Sequence, residues 1–215
     1  MAARPASLSM PRFINRRTAV VLSALVLVAL LGLWGASRFN VNPAHAPGEV
    51  IDQFEGVPVY YNGAINHVDG RSVAPDGYNI GLRWQCVEFV KRYYYERHQH
   101  RMPEARGHAK AFFDAAVADG ALNAARNLVQ HRNGGASAPA VGDIVVFAPW
   151  LFNPYGHVAI VSRVDADAVE IVQQNPGPFG TSRERLPLVL ADGRTHLGTE
   201  RVLGWLRLPA ASSKP

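Results

Sequence analysis

The longest apolar run in the chain is Thr18–Ala36, 19 consecutive uncharged residues made mostly of Ala, Val and Leu. That is close to the ~20 residues a helix needs to cross a bilayer. Beyond it the pattern breaks into shorter pieces. Val57–Tyr61 predicts a short strand ending at Asn62-Gly63, and Gly70–Gly81 is rich in turn residues. From Gln85 to His98 the apolar positions take a helical period, with Val87, Val90 and Tyr94 on one face and Cys86, Phe89 and Tyr93 beside it. A second helix is predicted over Gly107–Ala118, closed by Gly120, and a third, short one over Ala121–Gln130. Then the period changes. Asn133–Pro139 predicts a loop, Ile144–Phe147 a buried strand, and His157–Val164 with Val169–Asn175 a hairpin turning at Asp165–Asp167. Val202–Leu208 supplies a late strand. Helices first and an antiparallel sheet afterwards predict an α+β domain.

The flanks of the first run set its topology. Arg12, Arg16 and Arg17 precede it, which holds that end in the cytoplasm and sends the downstream chain across. Trp34 suits the far interface. A cleavable signal peptide and a retained signal-anchor share these features. The run exceeds the ~7–15 residues of a cleavable core, and Pro47 follows the small-residue site Ala44-His45-Ala46. A retained anchor is therefore expected. The organisation predicted is a basic cytoplasmic segment (1–17), a transmembrane helix (18–36), a linker (37–48), one domain (49–208) and a disordered tail (209–215).

Composition sharpens this. With 48% hydrophobic and 18% charged residues, the chain is an ordinary folded protein. Its net charge of +5 suggests an anionic partner until the charges are located. The chain has 22 basic and 17 acidic residues, and the first 46 positions hold five arginines and no acid. The remainder therefore carries 17 of each, which removes the argument for a nucleic-acid-binding domain. The lone cysteine, Cys86, excludes an intramolecular disulfide and a multi-cysteine zinc site, and no His-Glu-x-x-His pattern exists.

Cys86 opens the first domain helix. Helix N-termini stabilise anions, which predicts a lowered thiol pKa and N–H donors for an oxyanion. The bland alternative is a buried, inert thiol. His157 follows Gly156 and begins a strongly apolar strand, aimed across a cleft or merely at a strand end. His98, His100 and His108 sit in polar surroundings. Gln173-Gln174-Asn175 ends the paired strand. Alternation puts Gln173 and Asn175 on one face and Gln174 on the other. Either amide then accepts the His157 Nδ1–H and leaves Nε2 for the thiol, or the cluster only stabilises a strand end. Glu88 and Arg92 suit a surface ion pair at i,i+4. Tyr93-Tyr94-Tyr95 reads as one core face plus surface, and Asp143 as a turn-shaping residue.

Together these motifs resemble the CHAP family of cysteine, histidine-dependent amidohydrolases and peptidases. The resemblance rests on Trp84-Gln85-Cys86-Val87-Glu88-Phe89, Pro139-x-x-Gly142-Asp143-Ile144-Val145-Val146-Phe147, Gly156-His157-Val158-Ala159-Ile160-Val161 and Gln174-Asn175. It is strongest with the amidase domain of glutathionylspermidine synthetase/amidase, and extends to Val57-Pro58-Val59-Tyr60 and Leu203-Gly204-Trp205. It implies a papain-like fold, Cys86 as nucleophile and His157 as general base. The Cys86 backbone N–H, with Gln85, would hold the oxyanion. Where the family commonly has an acid two positions before the Asn, this chain has Gln173; Gln173 or Asn175 would then orient the base. Trp84 would wall the substrate cleft. No metal or organic cofactor is implied.

Three functions compete at this level. The first is a membrane-tethered amidase or endopeptidase on the extracytoplasmic face of a bacterial inner membrane, acting on peptidoglycan peptides. The second is an amidase for glutathionylspermidine-like small γ-glutamyl amides. The third is a weakly active or inactive CHAP binding module, kept open by Gln173.

Overall fold

The computed structural model describes residues 15–198 and 200–210. The predicted basic segment therefore lies outside the described residues except for positions 15–17, and the predicted tail lies outside them beyond Ala210. Helix α1 (Arg16–Arg38) is capped by the Asn15 side chain, which accepts from the Thr18 N–H. None of its residues is buried, and its most apolar window has a mean hydropathy of 2.5. Its 23 residues reach about 35 Å at 1.5 Å each, enough for a ~30 Å hydrocarbon core. This apolar N-terminal helix fits a signal sequence or a single-pass anchor. The segment after it holds to the domain rather than hanging free. The Asn66 N–H donates to the Ser37 carbonyl at 2.9 Å, and the Tyr61 hydroxyl to Asn40 Oδ1 at 3.0 Å. Asn42 Nδ2 donates to the Pro178 carbonyl at 2.8 Å.

The domain opens with two hairpins, β1 (Val50–Phe54) with β2 (Val57–Tyr60) and β3 (Arg71–Val73) with β4 (Asn79–Leu82). The first turns on Glu55-Gly56, both at positive φ, the geometry whose twist matches the flanking strands. Helix α2 (Cys86–His98) follows, then a short 3-10 helix, Ala109–Phe112. The remaining strands are β5 (Ala121–Asn123), β6 (Leu128–Arg132), β7 (Ile144–Phe147) and β8 (His157–Val164), then β9 (Ala168–Val172), β10 (Arg183–Ala191), β11 (Arg194–Leu197) and β12 (Val202–Arg207). They form one antiparallel sheet in the order β11-β10-β9-β8-β7-β12-β6-β5. An antiparallel sheet with a packed helix is the α+β class expected.

Two predicted helices do not form. Over 107–118 only the 3-10 turn exists, and residues 121–130 enter the β5–β6 hairpin. The stretch is rich in alanine, but asparagines decide against a helix. Asn123 Oδ1 accepts from the Arg126 N–H, and Asn127 sits at φ +52, closing a turn. Likewise Asp114 Oδ1 accepts from the Ala116 N–H, a local bond that competes with helix. One α-helix, not several, therefore packs on the sheet.

The sheet is buried on both faces in its middle, which is why β7 and β8 read as continuous apolar runs rather than alternating ones. On one face α2 inserts Phe89, Val90, Tyr93 and Tyr94 against Val146, Val158, Ile160 and Leu206. Each such fully buried side chain contributes roughly 1.5–3 kcal/mol. On the other face Val145, Ala159, Val161 and Ile171 pack with Trp205, Leu186 and Leu197. The Gly135–Thr195 bridge ties one sheet edge to the chain leaving β6, so the sheet curls over this second core.

Candidate active site

Packing α2 on this sheet sets its N-terminus against the start of β8. Gln85 is the N-cap and Cys86 the first helical residue. The Cys86 thiol is nearly enclosed, and the N–H groups of Val158, Val87 and Cys86 itself point at the sulfur. Val158 follows His157 in β8. Cys86 and His157 both line one cleft of about 1040 Å³.

The imidazole is held from behind. His157 Nε2 lies 2.9 Å from Gln173 Oε1. Gln173 Nε2 donates to the Thr181 carbonyl and to Glu184 Oε2, both at 3.2 Å. With both amide hydrogens facing acceptors, the Gln173 oxygen must receive a proton from His157. Nε2 therefore carries the hydrogen, and Nδ1 keeps the lone pair. The expected roles of the two ring nitrogens are reversed: Nδ1, not Nε2, is the free base.

Burial governs the charge state of both groups. It pushes the thiol up to about 11, against the opposing N–H groups of Val158, Val87 and Cys86. It drives His157 down to about 4; the Gln173 bond opposes this and the Arg201 charge reinforces it. The helix terminus does not lower the thiol pKa as expected, because desolvation of a thiolate outweighs three N–H dipoles. At neutral pH the resting pair is thiol and neutral imidazole.

The other predicted site residues divide. Asn175 adopts φ +57 beyond the end of β9, so strand alternation no longer applies and it does not face His157. Its Nδ2 donates to Gln85 Oε1 at 2.9 Å and to the Ile65 carbonyl at 3.0 Å. Gln85 Nε2 in turn donates to the carbonyls of His67 and Ile65, at 2.7 and 3.2 Å. Both Gln85 amide hydrogens are thus spent, and the backbone N–H of Gln85 donates to the Leu82 carbonyl. Gln85 therefore has no free N–H to offer an oxyanion, and of the two expected donors only the Cys86 N–H is left. Trp84 stands outside the cleft, its ring 4.1 Å from that of Tyr60 and packed on Gly48.

Gln174 is fully buried on the opposite side from His157. It accepts from the Tyr60 N–H at 2.9 Å and donates to the Gln85 carbonyl at 3.0 Å and to Glu88 Oε2 at 2.9 Å. Glu88 also pairs with Arg92 at 2.8 Å. This pair lies in the interior, not on the surface as its spacing suggested, because α2 turns that face toward β2 and the 173–175 segment. Asp143 shapes its turn as expected, accepting from the Ala140 N–H and pairing with Arg207.

Residues 76–175 match the CHAP domain family, a span that contains Cys86, His157, Gln173 and Asn175. This region is a CHAP domain. The CHAP-containing chain is 36% identical over 146 residues to "Glutathionylspermidine synthase" of Crithidia fasciculata, covering 61% of this chain and 20% of that protein. It is 29% identical over 141 residues to "Trypanothione synthetase" of the same organism, covering 66% of this chain and 21% of that protein. The chain thus spans about a fifth of the length of these relatives. A solved structure titled "The crystal structure of Ly7917" aligns at 30% identity over 34% of this chain and 29% of that one, with a TM-score of 0.23.

Sequence reasoning missed Glu184 and Arg201. Both come from 176–201, where no periodic signal fixed an element. Only the β9–β10 pairing brings Glu184 beside Gln173.

Proposed function

We propose that the protein is a membrane-anchored cysteine amidase or endopeptidase that hydrolyses amide bonds in peptidoglycan peptides through Cys86 and His157. The observation that carries this is the placement of one thiol at a helix N-terminus beside the start of the His157 strand, in one cleft, with the imidazole oriented by Gln173.

Since the resting pair is uncharged, His157 acts as a general base. Nδ1 takes the thiol proton as Sγ bonds to the amide carbon. The carbonyl oxygen takes the negative charge and is held by the Cys86 N–H. The imidazolium gives its proton to the amide nitrogen as the carbon–nitrogen bond breaks, releasing the amine and leaving a thioester. His157 then removes a proton from water, whose oxygen attacks the thioester carbon, and returns it to the departing sulfur. The acid leaves and the thiol is restored. The transient imidazolium is stabilised through the Gln173 carbonyl oxygen, backed by the Glu184 carboxylate.

The basic residues before the apolar run of α1 support an extracytoplasmic domain tethered to the inner membrane, where peptidoglycan is the abundant amide polymer. Hydrolysis of a glutathionylspermidine-like amide is the second reading, favoured by the 36% identity to a protein of that name. Incubating the detergent-solubilised full chain with peptidoglycan and glutathionylspermidine, beside Cys86→Ala, separates the two by product mass spectrometry. New muropeptides absent from the variant support the first reading. Cleavage of the conjugate alone supports the second, and no Cys86-dependent product refutes both.

A further inference from the structure

The cleft differs in charge from the rest of the domain. Beyond residue 46 the chain is electrically balanced. Around the cleft stand Arg38, Arg71, Arg106 and Arg201 against a single carboxylate, Glu184. Several of the domain's other arginines are held in ion pairs: Arg207 with Asp143, Arg92 with Glu88, and Arg183 with Asp52 and Glu170. Arg71 donates to Asn79 Oδ1, and Glu184 accepts from Gln173. Arg106 and Arg201 have no carboxylate partner among the described residues. Both are exposed, and Arg201 lies over the Trp150 ring, 5.2 Å from its centre. An aromatic face fixes a guanidinium while leaving its N–H fork free for a bidentate anion.

We propose that this cleft selects anionic amides, holding substrate carboxylates on Arg201 and Arg106, and rejects polycationic ones such as polyamine conjugates. The proposal rests on the reading of Cys86 and His157 as the reacting pair and narrows the substrate class for that site. A second effect points the same way. The Arg201 charge disfavours protonated His157. A substrate carboxylate seated on Arg201 cancels that charge, so an anionic substrate makes its own general base more competent. A polyamine would add to the repulsion.

The test separates binding from catalysis. Full-length Cys86→Ala protein is titrated with an acidic stem peptide released from peptidoglycan, with the same peptide after amidation of its carboxylates, and with glutathionylspermidine. The acidic peptide should bind about tenfold or more tightly than either, since hydrogen bonds to charged groups contribute on that scale. The preference should shrink with salt and disappear in Arg106→Gln/Arg201→Gln, whose folding is checked by its melting temperature. In Cys86-containing enzyme the same ranking should hold for kcat/KM. Equal or tighter binding of the amidated peptide or the polyamine conjugate overturns the proposal, as does no binding of any. Charge-selective binding without Cys86-dependent turnover upholds the anion preference and refutes the catalytic reading.

Discussion

Glu184 stands behind the imidazole, and replacing Gln173 by Glu tests that arrangement. A carboxylate at 173 would face His157 Nε2 at the present 2.9 Å and favour the imidazolium. An adjacent opposite charge shifts a pKa by roughly 1–3 units, about 1.4–4 kcal/mol. The other oxygen of the new carboxylate, however, takes the place of an amide that donates to Glu184 Oε2 and the Thr181 carbonyl at 3.2 Å. Two like charges at that separation repel by about 5 kcal/mol at an effective dielectric of 20 and about 1 kcal/mol in water. Glu184 is exposed, so the repulsion lies toward the lower figure, and the new carboxyl group at 173 relieves it by keeping its proton in the range where His157 titrates, which removes the charge that would have favoured the imidazolium. Gln173→Glu alone should leave the His157 titration within about one unit of wild type. Adding Glu184→Gln replaces repulsion by a hydrogen bond, and the double variant should titrate about 1–3 units above the wild-type value of about 4. The assay is an NMR pH titration of His157, assigned with His157→Gln, with kcat/KM measured in parallel. If the single variant moves as far as the double, or neither moves, Glu184 is not in line with Gln173 and the reasoning fails.

Other consequences are equally open to measurement. With its thiol near 11, Cys86 should react with iodoacetamide at pH 6 no faster than free cysteine, and the rate should climb through the alkaline range. A rate plateau already reached at pH 5–6, followed by intact mass, would show a thiolate–imidazolium pair instead. His157 has a folded pKa of about 4 against about 6.5 unfolded, so the unfolded chain takes up a proton first as pH falls. That contribution is intact above pH 6.5 and is lost down to pH 4, about 3 kcal/mol in all. Urea melts at pH 7 and pH 4 should show it, and parallel pH dependence in His157→Gln would contradict it. Glu88→Ala strands the buried Arg92 guanidinium and should cost about 3–5 kcal/mol. A melting temperature unchanged from wild type would mean that the pair carries no such weight.

The elements readable in the sequence were those whose packing is local or uniform. α2 shows a helical period because its apolar side packs on the sheet while buried polar residues occupy the other side, and β7 and β8 show apolar runs because the sheet is covered on both sides. The failures lie where side chains override propensity. Asn123 and Asn127 turn an alanine-rich stretch into a hairpin, and Asp114 unpicks the helix before it. The site follows the same rule. Cys86, His157 and Gln173 line one cleft, and Gln173 bonds the imidazole. Asn175 departs because its backbone leaves the strand at φ +57. Which ring nitrogen is free depends on Thr181 and Glu184 taking both Gln173 hydrogens, and whether the thiol ionises depends on its enclosure. Both are properties of the assembled fold. The cationic cleft was hidden in a domain whose charges sum to zero, because only the three-dimensional arrangement gathers Arg38, Arg71, Arg106 and Arg201 around one carboxylate.

The central claim is that Cys86 attacks an amide carbonyl and carries the acyl group as a thioester. Acid quenching during turnover of peptidoglycan peptides, with peptide mapping of the quenched protein, tests this most directly. The account predicts an acyl mass on the peptide containing Cys86, removed by hydroxylamine and absent from Cys86→Ala, which should also form no product. Undiminished amide hydrolysis by Cys86→Ala would contradict it.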